Sequence, residues 1–167
     1  MLGSTRTVFE QEKYKILKAS SRDAPVVSAL TKGDWSERVA ISQRRKIDNP
    51  TQIAEDLRAG GGLVLYRANL PVAALSYVHA RDGSWELRRL GVTRSYSGRG
   101  FTSLLLDTLE KLAKKAEVRS IRIPVETYAP QYKAYFEKLG FSVDADRTFS
   151  TIFAGSLQPI RMRKVVA

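Results

Sequence analysis

Ser97-Gly98-Arg99-Gly100-Phe101-Thr102 is the segment of this chain most clearly able to do chemistry. It follows a strand-like run at residues 85–92, Trp-Glu-Leu-Arg-Arg-Leu-Gly-Val, and an amphipathic helix follows it at once. Strand, glycine turn and helix in that order make a cradle for a phosphate group. The first turn of a helix leaves several backbone N–H groups without partners, and the helix dipole favours negative charge there. Gly98 and Gly100 have no Cβ, so a bulky anion can come close to the main chain and a positive φ costs little. Arg99 adds a full positive charge between them. Small residues at such a turn also serve packing alone, so the glycine pair by itself leaves both readings open.

The run at 85–92 is irregular in a useful way. Leu87 and Leu90 are both apolar but three apart, whereas one face of a strand repeats every two residues. Leu90 and Val92 are back in phase. A β-bulge near Arg88-Arg89 explains the slip and would leave main-chain groups unpaired beside the glycine turn; an ordinary strand with exposed arginines is the other reading. After the turn, Phe101, Leu104, Leu105, Thr108, Leu109, Leu112 and Ala116 keep helical spacing, with Lys111, Lys114 and Lys115 at the end that suits the dipole.

Upstream, residues 14–19 alternate as a strand, and Asp23-Ala24-Pro25 reads as a helix start with Asp23 as N-cap. A second helical stretch carries Trp35, Val39 and Lys46 and ends by Asn49-Pro50. A third, at 51–59, carries Ile53 and Leu57 and is stopped by Gly60-Gly61-Gly62. Residues 63–66 and 72–78 form a hairpin turning near Ala68-Asn69, and Arg81-Asp82-Gly83-Ser84 returns the chain into the 85–92 strand. Downstream come a strand at 121–125, whose Pro124 marks an edge or a place where ladder pairing stops, and a helix at 130–139 capped by Gly140. Strands at 141–143 and 160–166 close the chain.

At 167 residues, with 43% hydrophobic and 27% charged residues, the chain reads as one globular domain, with residues 1–13 as a flexible extension. Nothing is apolar and long enough to span a membrane, and no signal-peptide core is seen, so a cytoplasmic protein is expected. Without cysteine there are no disulfides, thiolate metal sites or cysteine nucleophiles, and the single His79 makes multi-histidine metal sites and most histidine triads unworkable. The formal net charge of +11 is spread along the chain with a bias to the C-terminal third. Arg44-Arg45-Lys46, Lys114-Lys115 and Arg161-Met162-Arg163-Lys164 are local clusters. They fit either a solvated face or attraction to a polyanion such as nucleic acid, an acidic protein or a polyanionic cofactor.

The order of elements, the bulged strand, the glycine turn and Tyr135-Phe136-Glu137-Lys138-Leu139-Gly140-Phe141 together resemble the GNAT superfamily of acyl-CoA-dependent N-acetyltransferases. The resemblance covers residues 14–166 and is strongest over 85–141. It implies an α/β (α+β) fold: a mixed, mostly antiparallel sheet of about six to seven strands, helices on both faces, and the fourth and fifth strands splayed to hold CoA. The family's phosphate-loop pattern, Gln/Arg-x-x-Gly-x-Gly/Ala, falls on residues 97–102; Gly100 matches, while Ser97 and Thr102 depart from the end positions. Within the superfamily the local likeness is to the histone-lysine acetyltransferase type, whose general-base glutamate aligns with Glu86.

The resemblance implies acetyl-CoA as cosubstrate and no metal. Leu90, Gly91 and Val92 would pair with the pantetheine arm, and the amide near Leu90 would hold the thioester oxygen. Ser97, Gly98, Arg99, Gly100, Phe101 and Thr102 would take the pyrophosphate, with Phe136 beside the cofactor. Many members carry a tyrosine acid where Phe136 stands and an asparagine where Ala129 stands. Tyr128, Tyr132 and Tyr135 are the substitutes, and Tyr135 is assigned the role. Glu86 also reads as a strand carboxylate paired with Arg88 or another basic residue.

The function expected is acetyl transfer to a primary amine: a protein lysine, a protein N-terminus or a small amine, in a monomer or homodimer. A noncatalytic module on the same scaffold, binding nucleic acid or a protein through its basic surface, is the alternative. An enzyme acting on an RNA-borne amine would join the two. Acceptor choice is expected in residues 20–62 and 147–158, and basic residues near the acceptor groove favour an acidic substrate over polyamines or lysine-rich tails.

Overall fold

A computed structural model describes residues 6–31, 49–125, 130–144 and 160–166. The stretch around Trp35, Val39 and Lys46, the Arg44-Arg45-Lys46 cluster, Tyr128, Ala129 and residues 147–158 lie outside them, and Tyr132 lies in a helix whose side chain there is not described.

Short runs of β-branched and aliphatic residues separated by turn residues build the sheet. In chain order the strands are β1 (Thr7–Gln11), β2 (Tyr14–Ala19), β3 (Gly60–Arg67), β4 (Leu70–His79), β5 (Trp85–Val92), β6 (Ser120–Val125), β7 (Ser142–Val143) and β8 (Ile160–Val165). The helices are α1 (Ala24–Thr31), α2 (Pro50–Ala59), α3 (Phe101–Lys115) and α4 (Pro130–Lys138). All eight strands join one sheet in the order β1-β2-β3-β4-β5-β6-β8-β7. That is one or two more than the sequence suggested. Part of the excess is β1, whose residues were expected in a flexible extension but pair antiparallel with β2. Arg6, just before it, bonds the Asp23 carboxylate at 2.6 Å.

The α1 cap also differs from expectation. A short 3-10 turn at Ser21–Asp23 precedes the helix, and Asp23 reaches back to the Ser20 N–H (2.8 Å) as half of a capping box. Gly60-Gly61-Gly62 do not merely stop α2; they open β3 and pair with Val78, Tyr77 and Ser76. A Cβ on Gly61 would meet the Tyr77 hydroxyl at 2.6 Å, so the glycines let β4 approach closely.

Each face of the sheet has its own apolar layer. On one, Leu63, Leu65, Val72, Leu75, Leu87, Leu90 and Val92 pack under Leu105 and Leu109 of α3 and Phe136 of α4. On the other, Val64 and Ala74 pack against Val27 and Leu30 of α1 and Ile53 and Leu57 of α2. Strand alternation therefore decides which β5 side chains face α3 and which face α1 and α2.

Two irregularities of β5 shape the site. Ser76 pairs with Arg89 but Tyr77 pairs with Leu87, so Arg88 is the extra residue of a bulge, where the leucine spacing placed one. Beyond the bulge, Thr93 N–H bonds the Val72 carbonyl at 2.9 Å, which fixes the ladder's phase. Arg89 and Gly91 turn their N–H and C=O toward β4, and Leu90 and Val92 turn theirs away from it. The second irregularity is a fork. β5 and β6 run parallel and pair only at Trp85–Ile121 and Glu86–Arg122, after which they part. Pro124, which cannot donate to a ladder, stands two residues past the last of these pairs.

Candidate functional site

β5 carries the fork on its β6 side and leads, through the 3-10 turn at Arg94–Tyr96, into the start of α3. At the α3 end, Gly98 and Gly100 have φ of 76° and 79°, the left-handed region that favours glycine. Gly100 is the N-cap and offers no side-chain acceptor, so the first amides of α3 have no partner within the helix. A Cβ at either glycine would meet nothing within 4 Å, which leaves the space over these amides open. Arg99 stands over the Tyr96 ring (4.8 Å from its guanidinium carbon to the centroid), and Arg67 donates to the Tyr96 hydroxyl at 3.2 Å. Uncapped amides, a helix dipole and two nearby guanidiniums suit a phosphate or pyrophosphate. Arg67 and Tyr96 were not anticipated, because Arg67 arrives from β3.

The other loop residues divide their tasks. Ser97 spends its hydroxyl on the Arg94 carbonyl (2.8 Å), bracing the 3-10 turn at Arg94–Tyr96. Phe101 is buried against Tyr14, ring centroids 5.2 Å apart, and pins the helix start while Thr102 follows in the first turn. Gly91, grouped from sequence with Leu90 and Val92, turns its backbone to β4, and its α-carbon abuts α1. A Cβ there would strike the Leu30 carbonyl oxygen and lie 2.7 Å from the Thr31 α-carbon. Glycine is required at 91 by packing. Leu90 and Val92 are the pair whose backbone turns toward the fork.

At the fork, Glu86 is the last β5 residue paired to β6 and points to the face opposite α3. Its carboxylate accepts from Arg161 Nη1 at 3.2 Å and lies 3.6 Å from Arg88 Nη2; its side chain is 15% exposed. Arg161 is half-buried, and that burial pushes its guanidinium down from its ordinary value against the opposing pull of Glu86. The guanidinium nonetheless stays charged at neutral pH. Arg88 is the residue the bulge throws out. The pairing weighed from sequence is therefore present, with Arg161, from 75 residues away in the chain, as its nearer member.

Beside this pair lies a second ionic cluster. Arg122 and Arg163 share Asp82 (3.3 and 3.0 Å), and both also meet Asp144 (3.6 and 3.1 Å). The strand read as a basic cluster, Arg161-Met162-Arg163-Lys164, thus alternates: Met162 is core, and Lys164 bonds Glu110 of α3 at 2.9 Å. Burial works against ionising Asp82, but the Ser84 hydroxyl and N–H and the Arg163 guanidinium outweigh it and hold its carboxyl well below the usual carboxylate range. A depressed folded pKa stabilises the fold above the unfolded value, near 3.9 by about the usual reference, and that stabilisation is lost as pH falls through the folded value. Asp82→Asn is expected to flatten the acid side of the stability curve, measured as urea midpoints from pH 5 downward.

Tyr135 and Phe136 sit on α4 and differ in environment. Phe136 is 1% exposed and packs edge-on to Phe141, a core ring with no hydroxyl to offer. Tyr135 is exposed, and its hydroxyl lies 3.4 Å from Ser103 Oγ in the first turn of α3. It belongs to the phosphate end and to the α3 face, whereas Glu86 lies on the other face. The structure does not bring the two catalytic candidates together.

A family model described as the acetyltransferase (GNAT) family matches residues 27–141, a span that holds the bulge, the fork, the loop, Tyr135 and Phe136. The chain belongs to that family. Solved GNAT structures superpose over nearly its whole length. The PaiA N-acetyltransferase of Thermoplasma acidophilum, solved in complex with coenzyme A, is 16% identical with a TM-score of 0.73, covering 92% of this chain and 99% of that one. Ard1 of Thermoplasma volcanium is 17% identical at 0.73, covering 93% and 99%. A ribosomal-protein alanine N-acetyltransferase from Escherichia coli is 16% identical at 0.69, covering 92% and 94%. These likenesses show that the fold is the GNAT fold. No curated protein matches the sequence. No described helix is long and apolar enough to cross a membrane.

Proposed function

We propose that this GNAT protein transfers an acetyl group from acetyl-CoA to a primary amine. The observation that carries the reading is the fork that opens directly after Glu86 on the strand leading into the uncapped α3 amides. The amides after Gly98 and Gly100, with Arg99, hold the pyrophosphate, and the outward-turned Leu90 backbone pairs with the pantetheine arm as an added strand would. Acetyl-CoA, when bound, supplies an acyl carbon whose bond to sulfur is replaced by a bond to nitrogen.

The chain's own residues do the rest. Glu86 takes a proton from the acceptor's ammonium, directly or through water, leaving the nitrogen lone pair free to attack. The Leu90 N–H, aimed into the fork, is placed to stabilise negative charge on the acyl oxygen. Arg161 and Arg88 hold the Glu86 carboxylate in position until the acceptor arrives. Phe136 keeps the wall of the cofactor site dry. Tyr135 lines the phosphate end, so the departing thiolate takes its proton from water.

The binding-module alternative loses one support, since Arg161, Arg163 and Lys164 each meet a carboxylate. The test is incubation of the protein with acetyl-CoA and a panel of amines, followed by product mass spectrometry. Acetylated product from at least one amine is expected. Binding of acetyl-CoA without transfer to any acceptor would favour the module.

A further inference from the structure

The bulge in β5 occupies one residue, and the side chains around it decide which. We propose that Arg89 is a positioning residue for acyl transfer: its buried pair with Asp56 fixes the bulge at Arg88 and so aims the Leu90 N–H into the fork. This rests on the acetyl-transfer reading and adds to that site a residue that does not touch substrate.

Side-chain alternation brackets the bulge. Leu87 lies in the apolar layer under α3. On a regular strand Arg89, two residues later, would share that face. It stands instead on the opposite face, buried, with Nη1 2.7 Å from Asp56 Oδ2 of α2 and 3.4 Å from Ser76 Oγ of β4. Gln52, one turn earlier on α2, donates to the other Asp56 oxygen at 2.9 Å. Tyr77 pairs with Leu87 and Ser76 with Arg89, so the extra residue between them is Arg88. Arg88 in turn lies 3.6 Å from Glu86. Each of the two adjacent arginines thus meets a different carboxylate.

The competing arrangement puts the extra residue at Leu90. It leaves Gly91, Val92 and Thr93 in their present phase, so none of these resists it. Arg88 would then stand opposite Ser76, on the Asp56 side, and Arg89 opposite Leu75, in the layer of Leu87, Leu105 and Leu109. Moving a guanidinium from a carboxylate into aliphatic surroundings is strongly unfavourable. Backbone direction alternates with side-chain direction, so the choice has a chemical consequence. With the bulge at Arg88, the Leu90 N–H turns away from β4, on the side where β5 and β6 part. With the bulge at Leu90, that N–H turns to β4 and the fork loses its donor. The charge at residue 89 therefore selects which amide faces the acyl oxygen.

The experiment compares wild type, Arg89→Leu and Arg89→Lys. Leucine at 89 enters the α3 layer freely and leaves Asp56 to Arg88, whereas lysine keeps a charge opposite Asp56. Amide hydrogen exchange of the free protein, followed by NMR, is expected to show residue 89 protected and Leu90 exchanging fast in wild type. In Arg89→Leu, protection passes from residue 89 to Leu90. In the same variant kcat falls by about 10²–10³-fold, the range for one lost oxyanion donor, with the KM for the amine little changed. Arg89→Lys recovers the wild-type exchange pattern and most of the turnover. The double variant Asp56→Leu, Arg89→Met, which removes the pair whole, replaces Arg89→Leu if that variant does not fold. Fast Leu90 exchange retained without the arginine, wild-type kcat despite an altered pattern, or a lysine variant no better than leucine overturns the proposal. If wild type binds acetyl-CoA but transfers to no amine, or does not bind it, the acetyl-transfer reading fails by itself. The exchange pattern, which needs no acetyl-CoA, then decides alone whether Arg89 sets the bulge.

Discussion

Glu86→Gln is expected to lower turnover by about 10²–10⁴-fold, the range typical of removing a general base, while acetyl-CoA affinity is unchanged. Glutamine preserves the length and shape of the side chain and still offers Arg161 an acceptor oxygen, so the fork keeps its geometry. What it loses is the capacity to take a proton. The loss should shrink as pH rises toward the point where the amine deprotonates unaided, which distinguishes a missing base from a misshapen site. Steady-state kinetics across pH, with calorimetric acetyl-CoA affinity alongside, reads both. Turnover equal to wild type would assign Glu86 to structure alone.

Asp56→Ala is expected to destabilise the fold by about 3–5 kcal/mol, the range for breaking a buried ion pair from one side. Arg89 is 2% exposed, and its Nη1 donates to Asp56 Oδ2 at 2.7 Å, with Ser76 Oγ at 3.4 Å. Gln52 holds the other Asp56 oxygen at 2.9 Å. Removing the carboxylate takes a charged partner 2.7 Å away from a buried guanidinium between α2 and the sheet. Because Arg89 is the residue next to the bulge, the pair also ties α2 to the strand that forms the fork. The double variant Asp56→Leu, Arg89→Met removes both charges and is expected to recover much of the loss, since apolar replacements of buried pairs are often tolerated. Urea unfolding of the two variants measures this. A single variant as stable as wild type would show that the pair contributes little.

What could be read from sequence follows a physical divide. Local periodicity carried the bulge: the three-residue step from Leu87 to Leu90 is the trace of Arg88 being thrown out of register. Glycines at 98 and 100 announced the positive φ values found there. The pairing that defines the chemistry was not local. Glu86 meets Arg161 across two strands, and nothing near either residue names the other. Arg161 and Arg163 read as part of a basic cluster, either a solvated face or a polyanion site, because strand alternation, which sends Met162 into the core and the arginines to acidic partners, only acquires meaning once β8 is paired to β6. Arg89 was hidden for the same reason, its partner lying in α2. Gly91 resembled part of a ligand cradle, whereas its neighbour is α1, which only the three-dimensional packing shows.

The most direct test of the central claim is calorimetric titration of acetyl-CoA into wild type and Gly100→Glu. The substitution sets a carboxylate at the N-terminal end of the α3 dipole, where the phosphates are proposed to lie, and places a side chain at a φ of 79°. Saturable binding by wild type that the variant loses, with the variant still folded by circular dichroism, is the result this reading predicts. No binding by wild type, or equal binding by both, would contradict it.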